Sequence, residues 1–258
     1  MSPRTTAGTP GLHLTGERTA PDVPEENYWF RRHEAAYLAL APLCRDAVVL
    51  EAGCGEGYGA ALLAEYARSV LALDYDEPTT THVAQRYPKL GVVRGNLAFL
   101  PVATGSIDVV ANLQVIEHLW DQAGFLAECR RVLRPGGRLL VTTPNRLTFT
   151  PDSGTPLNPY HTRELSPSEL DELLREAGFA VERLAGVHHG PALTELDRRH
   201  GGSIIDAQLA VVMGSLPGQA TWPRDLLADV EAITADDFVL RDDDLDSSLD
   251  LLAVAVRR

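Results

Sequence analysis

With 258 residues, 45% of them hydrophobic, the chain has enough apolar material for a sizeable core and reads as one α/β domain carrying an insertion. A formal net charge of -13 and a sequence pI near 5.0 argue against a general nucleic-acid or anionic-membrane surface, since either needs a basic footprint. Three cysteines, Cys44, Cys54 and Cys129, are too few and scattered for a disulfide framework or a zinc site, which predicts reduced thiols and a cytoplasmic location.

Residues 1–24 are a polar leader with no apolar signal core, expected to be flexible, and residues 25–258 are expected to form the folded domain. The first element is an amphipathic helix in 25–43, EENYWFRRHEAAYLALAPL, whose Tyr28, Trp29, Phe30, Ala36, Leu38 and Leu40 supply apolar surface. Its Arg31 and Arg32 sit beside the aromatics. A fixed guanidinium is a natural partner for a ligand carboxylate, so Arg32, with Tyr28 beside it, is placed on the cofactor side.

Val48, Val49 and Leu50 form a continuously apolar run suited to a strand buried on both faces, and it ends at Glu51. Gly53, Gly55 and Gly57 then strip side chains from a sharp turn, and 58–68 has helical spacing. Strand, bare turn and helix lay backbone amides against a ligand. By itself the turn is ambiguous, because Gly55, Gly57 and Ala60 also satisfy the dinucleotide pattern GxGxxA. The next strand, 70–73, ends in Asp74, 23 positions after Glu51, where a carboxylate would hold a ribose diol. That makes the turn specific for a nucleoside-bearing ligand.

A short strand at 91–94 leads into Gly95, Asn96 and Leu97, where a carboxamide and an apolar cover suit an adenine ring. The fourth strand, 107–113, ends in Gln114, followed by Glu117 and His118, and the carboxyl end of such a strand faces the ligand crevice. A helix over 122–133 is stopped by the expected turn Arg134, Pro135, Gly136 and Gly137, and the fifth strand, RLLVTTPN, brings Thr143, Pro144 and Asn145 to the same cleft. His161 lies in the loop NPYHTREL, just before a helix opened by the capping box Ser166 to Glu169. A sixth strand ends near His188 and His189.

Residues 190–246 are too long for an ordinary connection and carry helical patterns at 192–199, 204–213 and 224–233. They are read as a lid or wall for the acceptor, with Asp197, Arg198, His200 and Asp206 as polar contacts and Trp222 mainly in the core. The acidic run from Asp236 to Asp250 has no regular ligand spacing and reads as a solvated loop.

The ordered stretches EAGCGEG, Asp74, GNLAFLP, IDVVANLQVIEHL and LRPGGRLLVTTPN together resemble the motifs of class I S-adenosylmethionine-dependent methyltransferases, and the dinucleotide alternative falls away. The resemblance implies a Rossmann-like, seven-stranded, mainly parallel sheet in the order 3214576, with an antiparallel last strand, and here a helical insertion between strands six and seven. LTGERT, ENYWFRRH, LQVIEHLWDQ, NPYHTREL, HHGP and RHGGSIIDAQ resemble the mycobacterial sugar O-methyltransferases associated with 6-O-methylglucose lipopolysaccharide. That likeness implies a cytosolic α-glucan or oligosaccharide acceptor.

By the same resemblance Glu51, Gly53, Gly55 and Gly57 would bracket the methionine half of the cofactor. Asp74 would hold the ribose, Asn96 and Leu97 would flank adenine, and Gln114 would meet the amino-acid end. Metal-using quinone-pathway relatives carry ExxEH after the fourth strand, where this chain has Gln114 as the first residue, so magnesium is left open but unsupported.

Methyl transfer from a sulfonium is an in-line displacement, and a sugar hydroxyl needs a base to take its proton. His161 is the preferred base. His118, beside Glu117, is a candidate that could equally be scaffold, while His188, His189, Asp197 and Asp206 are assigned to the acceptor. The competing readings are an O-methyltransferase of an aromatic or quinone-like small molecule and a cofactor-binding protein without transferase activity.

Overall fold

Along the central strands apolar side chains alternate between two separate cores. Val49, Val109 and Ala111 point to one, and Leu50, Ala52 and Val110 to the other. The alternation therefore puts helices on both faces of a sheet. A computed structural model describes residues 18–151, 153, 155–214 and 220–258. Most of the expected leader (1–17) and part of the insertion (215–219) lie outside the described residues.

In chain order the elements are α1 (Asn27–Leu40), β1 (Val48–Ala52), α2 (Tyr58–Ala64), β2 (Ser69–Asp74), α3 (Glu77–Arg86), β3 (Gly91–Arg94) and β4 (Ile107–Leu113). Then come α4 (Gln122–Val132), β5 (Leu133–Pro144), the single turn α5 (Arg146–Phe149), α6 (Pro167–Glu176) and β6 (Phe179–His189). The insertion supplies α7 (Pro191–Arg199), α8 (Ile204–Met213), α9 (Arg224–Ala232) and β7 (Phe238–Arg241), and β8 (Asp250–Arg257) follows. One core holds residues of α1, α2 and the inserted helices, and the other holds residues of α4 and α6.

The sheet runs β3-β2-β1-β4-β5-β8-β6-β7. β1 to β5 pair in parallel, whereas β8 is antiparallel to both β5 and β6. Among the described residues this is a mixed sheet of eight strands, which corrects the expected seven. The extra one, β7, comes from inside the insertion and pairs antiparallel with the end of β6, from Gly186↔Arg241 to His189↔Phe238. The insertion is therefore not purely helical: Phe238 is buried beneath it and gives a short strand reason to form.

A second correction concerns Arg134 to Gly137. No turn separates α4 from the fifth strand; Leu133 already pairs with Ile107, and the register jumps before Arg138 meets Val109, so the four residues are absorbed as an irregularity at the strand's start. The strand order reverses between β1 and β4, where the connections leave to opposite sides. The carboxyl ends of these strands and of β5 define the crevice where ligands bind in such sheets.

Candidate active site

The first half of the crevice is made by backbone. β1 delivers Gly53, whose φ of 91° is open to glycine at little cost and whose added Cβ would stand 2.7 Å from Val115. The amides of Gly53 and Cys54 both donate to the Leu73 carbonyl, at 2.8 and 2.9 Å, pinning the turn to β2. Gly55, with φ of 48°, faces the other way: a Cβ there would meet only the aliphatic part of Arg18, 3.7 Å off. This is a cradle that a side chain would fill, and Gly57 closes it at the start of α2.

Asp74 ends β2 beneath that cradle. Its Oδ2 accepts from the Gly55 amide at 3.0 Å and its Oδ1 from the Asp76 amide at 3.0 Å, so the carboxylate is oriented while each oxygen keeps a lone pair. The next residue, Tyr75, is 65% exposed and offers a flat face beside the carboxylate, a group the sequence reading passed over. Asn96 is exposed after β3, its Oδ1 accepting from the Ala98 amide at 2.9 Å, and the partly buried Leu97 packs toward the α4 and α6 core.

Gln114 leaves β4 in the left-handed region, φ 58°, held by its amide on the Thr142 carbonyl at 2.9 Å. For a non-glycine residue that conformation costs about 1 kcal/mol or more, and such strain concentrates at functional sites. Asp76 caps α3 and, with Thr79, also holds Arg18, so residues 18 and 19 run across the glycine turn. Thr19 there meets the Tyr58 hydroxyl at 3.1 Å.

Three residues expected in this half are buried. Glu51 is wholly buried under α2, its Oε1 accepting from the Tyr37 hydroxyl at 2.7 Å, and desolvation pushes its carboxyl up to about 8. It pins β1 to α1 through Tyr37, and its Oε2 has no hydrogen-bond partner among the described residues. Arg32 does not await a ligand carboxylate: its guanidinium is bidentate to Asp250 at the start of β8 and also donates to the Leu249 carbonyl at 2.8 Å. Asp250, expected in a solvated acidic loop, is thus a buried counter-ion. Tyr28 is also fully buried, its hydroxyl 2.7 Å from His189 Nε2.

The second half is assembled by side chains from distant loops. The Glu117 carbonyl accepts from the amides of Thr162 and Arg163 at 2.7 and 3.2 Å, strapping the 158–165 loop to the end of β4. This brings His161 to His118, ring centroids 4.9 Å apart and edge-on. His118 Nδ1 faces the Tyr160 carbonyl at 3.0 Å and therefore carries the proton, leaving Nε2 as the basic nitrogen, and burial lowers its pKa.

His161 Nδ1 donates to Glu164 Oε1 at 2.6 Å and its Nε2 faces Asn158 Nδ2 at 3.1 Å. Glu117 is buried, accepts from the Thr143 hydroxyl at 2.9 Å, and is pushed up to about 7, chiefly by desolvation. A base whose far nitrogen is gripped by a carboxylate is the arrangement that stabilises an imidazolium as it forms. Glu164, three residues after His161, was missed in the sequence; the HxxE spacing was the available signal.

Glu117, His118 and His161 also place one ligand atom each within 4.8 Å of one another. Two imidazoles and one carboxylate, with Gln114 in place of a further acid, fit magnesium poorly, since that ion wants an octahedron of oxygens.

The acceptor-side residues of the insertion divide. His189 and Asp197 meet, Nδ1 to Oδ2 at 2.7 Å, and continue to Tyr28. His188 points to the opposite face of β6, as strand alternation requires, and Asp206 is exposed in the first turn of α8; neither joins the pair. His200 and Arg199 bind Asp229 on α9, while Trp222 packs against the core.

A doubly wound sheet with a glycine cradle at the strand-order reversal and an acid on the next strand defines a Rossmann-like nucleoside-binding fold of the methyltransferase type. Residues 50–141 match the family model described as a methyltransferase domain. A protein of Mycolicibacterium smegmatis described as a probable S-adenosylmethionine-dependent methyltransferase is 60% identical over 95% of this chain and 95% of its own length. One of Mycobacterium tuberculosis with the same description is 56% identical over 98% and 92%. The chain belongs to the S-adenosylmethionine-dependent methyltransferase family.

Among solved structures, an S-adenosylmethionine-dependent methyltransferase of Thermotoga maritima has a TM-score of 0.60 at 19% identity, covering 92% of this chain and 96% of that one. The [4+2]-cyclase SpnF has a TM-score of 0.58 at 17%, covering 88% and 81%. At such identities the likeness is one of fold. Among the described residues no helix is long and apolar enough to cross a membrane.

Proposed function

We propose that the chain is an O-methyltransferase acting on a hydroxyl of a carbohydrate acceptor in the cytoplasm, with His161 as the base. The observation that carries this reading is the His161–Glu164 pair, 2.6 Å apart on the loop strapped to the carboxyl end of β4, with Glu164 also lining a cavity that carries Arg146, Thr150, Thr162, Arg163 and Glu169. S-adenosylmethionine supplies an electrophilic methyl group on a sulfonium centre. Asp74 would hold its ribose diol, Tyr75 and Leu97 would cover the adenine, and Asn96 would bond the purine edge. The turn at Gly53, Gly55 and Gly57, with Gln114 opposite, would enclose the methionine end.

The acceptor hydroxyl would donate to His161 Nε2 in place of Asn158. As the new C–O bond forms and the C–S bond breaks, the proton passes to that nitrogen, and Glu164 steadies the resulting cation through Nδ1–H. His118 and the buried Glu117 hold the ring edge-on and exclude water.

The test is a labelled methyl-transfer screen over short α-glucans and simple phenols. His161→Ala should lower turnover roughly a hundredfold or more while leaving cofactor affinity within about twofold; a variant with the wild-type rate removes His161 from the mechanism. A second reading, methylation of a phenolic or quinone-like molecule, is favoured by one observation. A ubiquinone biosynthesis O-methyltransferase of Nitrosococcus oceani is 28% identical over 55% of this chain and 67% of its own length. Transfer to phenols but to no sugar would select it.

A further inference from the structure

Arg18 carries a guanidinium with one edge unused. Its Nη1 donates to Asp76 Oδ2 at 3.3 Å and to the Thr79 hydroxyl, which fixes the group against the start of α3. Its Nε is buried and has no hydrogen-bond partner among the described residues. A buried N–H without an acceptor is costly, so it is expected where a ligand supplies one.

That nitrogen stands at the glycine turn. Arg18 Cδ, the carbon that carries Nε, lies 3.7 Å from the place of a Cβ on Gly55, and Cγ lies 3.8 Å from it. Nε is one bond further along, about 1.5 Å. It therefore sits beside the bare backbone of Gly55, whose amide donates to Asp74. Held among the described residues through Nη1 alone, the guanidinium keeps its Nε–Nη2 edge, a fork that takes both oxygens of a carboxylate.

The neighbouring cations are committed. Arg32 is bidentate to Asp250, and Arg94, at the end of β3, gives Nε to the Tyr75 carbonyl at 3.0 Å and Nη1 to Glu77 at 2.8 Å. A ligand carboxylate brought in beside Asp74 and Asp76 meets two like charges, which a guanidinium at the same turn offsets.

We propose that Arg18 receives the carboxylate of S-adenosylmethionine, donating from Nε and Nη2 while Nη1 stays on Asp76 and Thr79. The role expected of Arg32 thus passes to a residue upstream of α1. Arg18 thereby distinguishes a ligand that ends in an amino acid from adenosine, which shares the base and ribose. The inference rests on the cofactor placement given above, with Asp74 at the ribose, and is independent of the acceptor.

The experiment is calorimetry on the full chain with two ligands, S-adenosylhomocysteine and its decarboxylated counterpart S-adenosyl-3-thiopropylamine, which lacks the carboxylate alone. Arg18→Ala should weaken S-adenosylhomocysteine tenfold or more and leave the amine within about twofold. Arg18→Lys, which keeps the charge but not the fork, should recover part of the loss. Asp74→Ala should weaken both ligands alike.

An Arg18→Ala variant that loses both ligands equally makes Arg18 a prop of the turn, and one that loses neither removes it from the site; either result overturns the proposal. If Asp74→Ala leaves both affinities unchanged, the cofactor placement itself falls.

Discussion

The two halves of the crevice are built by different means. On the β1–β3 side the ligand surface is made of backbone amides and turn conformations, and the decisive contacts are short in sequence: Gly55 to Asp74 spans 19 residues and Asp76 to Asp74 only two. On the β4–β8 side it is made of side chains on loops, His118 and His161 among them, and the frame behind them is held by buried pairs from far-apart segments, Tyr28 to His189 across 161 residues and Arg32 to Asp250 across 218. On the proposed reading the first half would hold a cofactor that does not vary, which favours a template set by local chain geometry. The second must fit whatever acceptor the protein takes, and loops positioned by long-range pairs can change without disturbing the cradle.

The contrast can be broken most forcefully at Arg32 and Asp250. Both side chains are almost completely buried, so Asp250→Ala should strand a guanidinium and destabilise the fold by about 3–5 kcal/mol, read as a lower urea midpoint at unchanged slope. The double change Arg32→Met with Asp250→Leu should recover most of that loss. Equal stability of the single and double variants would show that the pair is not what ties α1 to β8.

A smaller effect, confined to the cradle, is expected from Asp74→Ala. Loss of two ribose bonds should weaken S-adenosylmethionine binding at least tenfold, about 1.4 kcal/mol, with little change in acceptor affinity. Unchanged cofactor affinity in calorimetry would contradict the assigned pocket.

Glu51 and Glu117 sharpen the comparison by pH, one under each half. Both have folded pKa values raised above the ordinary carboxyl, to about 8 and about 7, mainly by burial. Between the unfolded value near 4.3 and those values the folded chain holds protons that the unfolded chain has lost. Their contribution is therefore complete at acid pH and declines as pH rises, by up to about 1.4 kcal/mol per unit for each carboxyl, until the folded pKa is passed. Chemical denaturation from pH 5 to 8 should show this fall, shallower in Glu51→Gln; an unaltered slope in that variant would remove Glu51 as its source.

The smallest effect is at Ser166, which caps α6 in a reciprocal box with Glu169. Ser166→Ala should cost about 1 kcal/mol, measurable as a drop in Tm without loss of cofactor binding.

Those same contrasts explain what the amino-acid pattern disclosed. Ile107–Leu113, Ile204–Met213 and the Ser166 box stand where periodicity and cap chemistry put them, because both signals are local. Asp250 looked like one more member of an acidic run, and nothing near it in sequence announces Arg32. Glu164 was hidden in the same way: HTRE is an ordinary surface tetrapeptide until the Glu117 carbonyl draws its loop inward. β7 was obscured by brevity, four residues among aspartates that face solvent, with Phe238 as the only strong anchor. The Arg134–Gly137 segment reads as a turn because glycine and proline usually mark one, yet β5 pairs with β4 on both sides of it, at Leu133 and again from Arg138.

The place of β8 between β5 and β6 sets an order of events for synthesis. It is the last of the eight strands to emerge from the ribosome and the one that fills the gap between two that are already made. Until it arrives, the growing polypeptide presents two unsatisfied ladders, each able to recruit a neighbouring molecule. Disrupting Asp250–Arg257 should therefore yield insoluble material rather than a smaller working enzyme, and a chaperone that shields open ladders would be needed until β8 has paired.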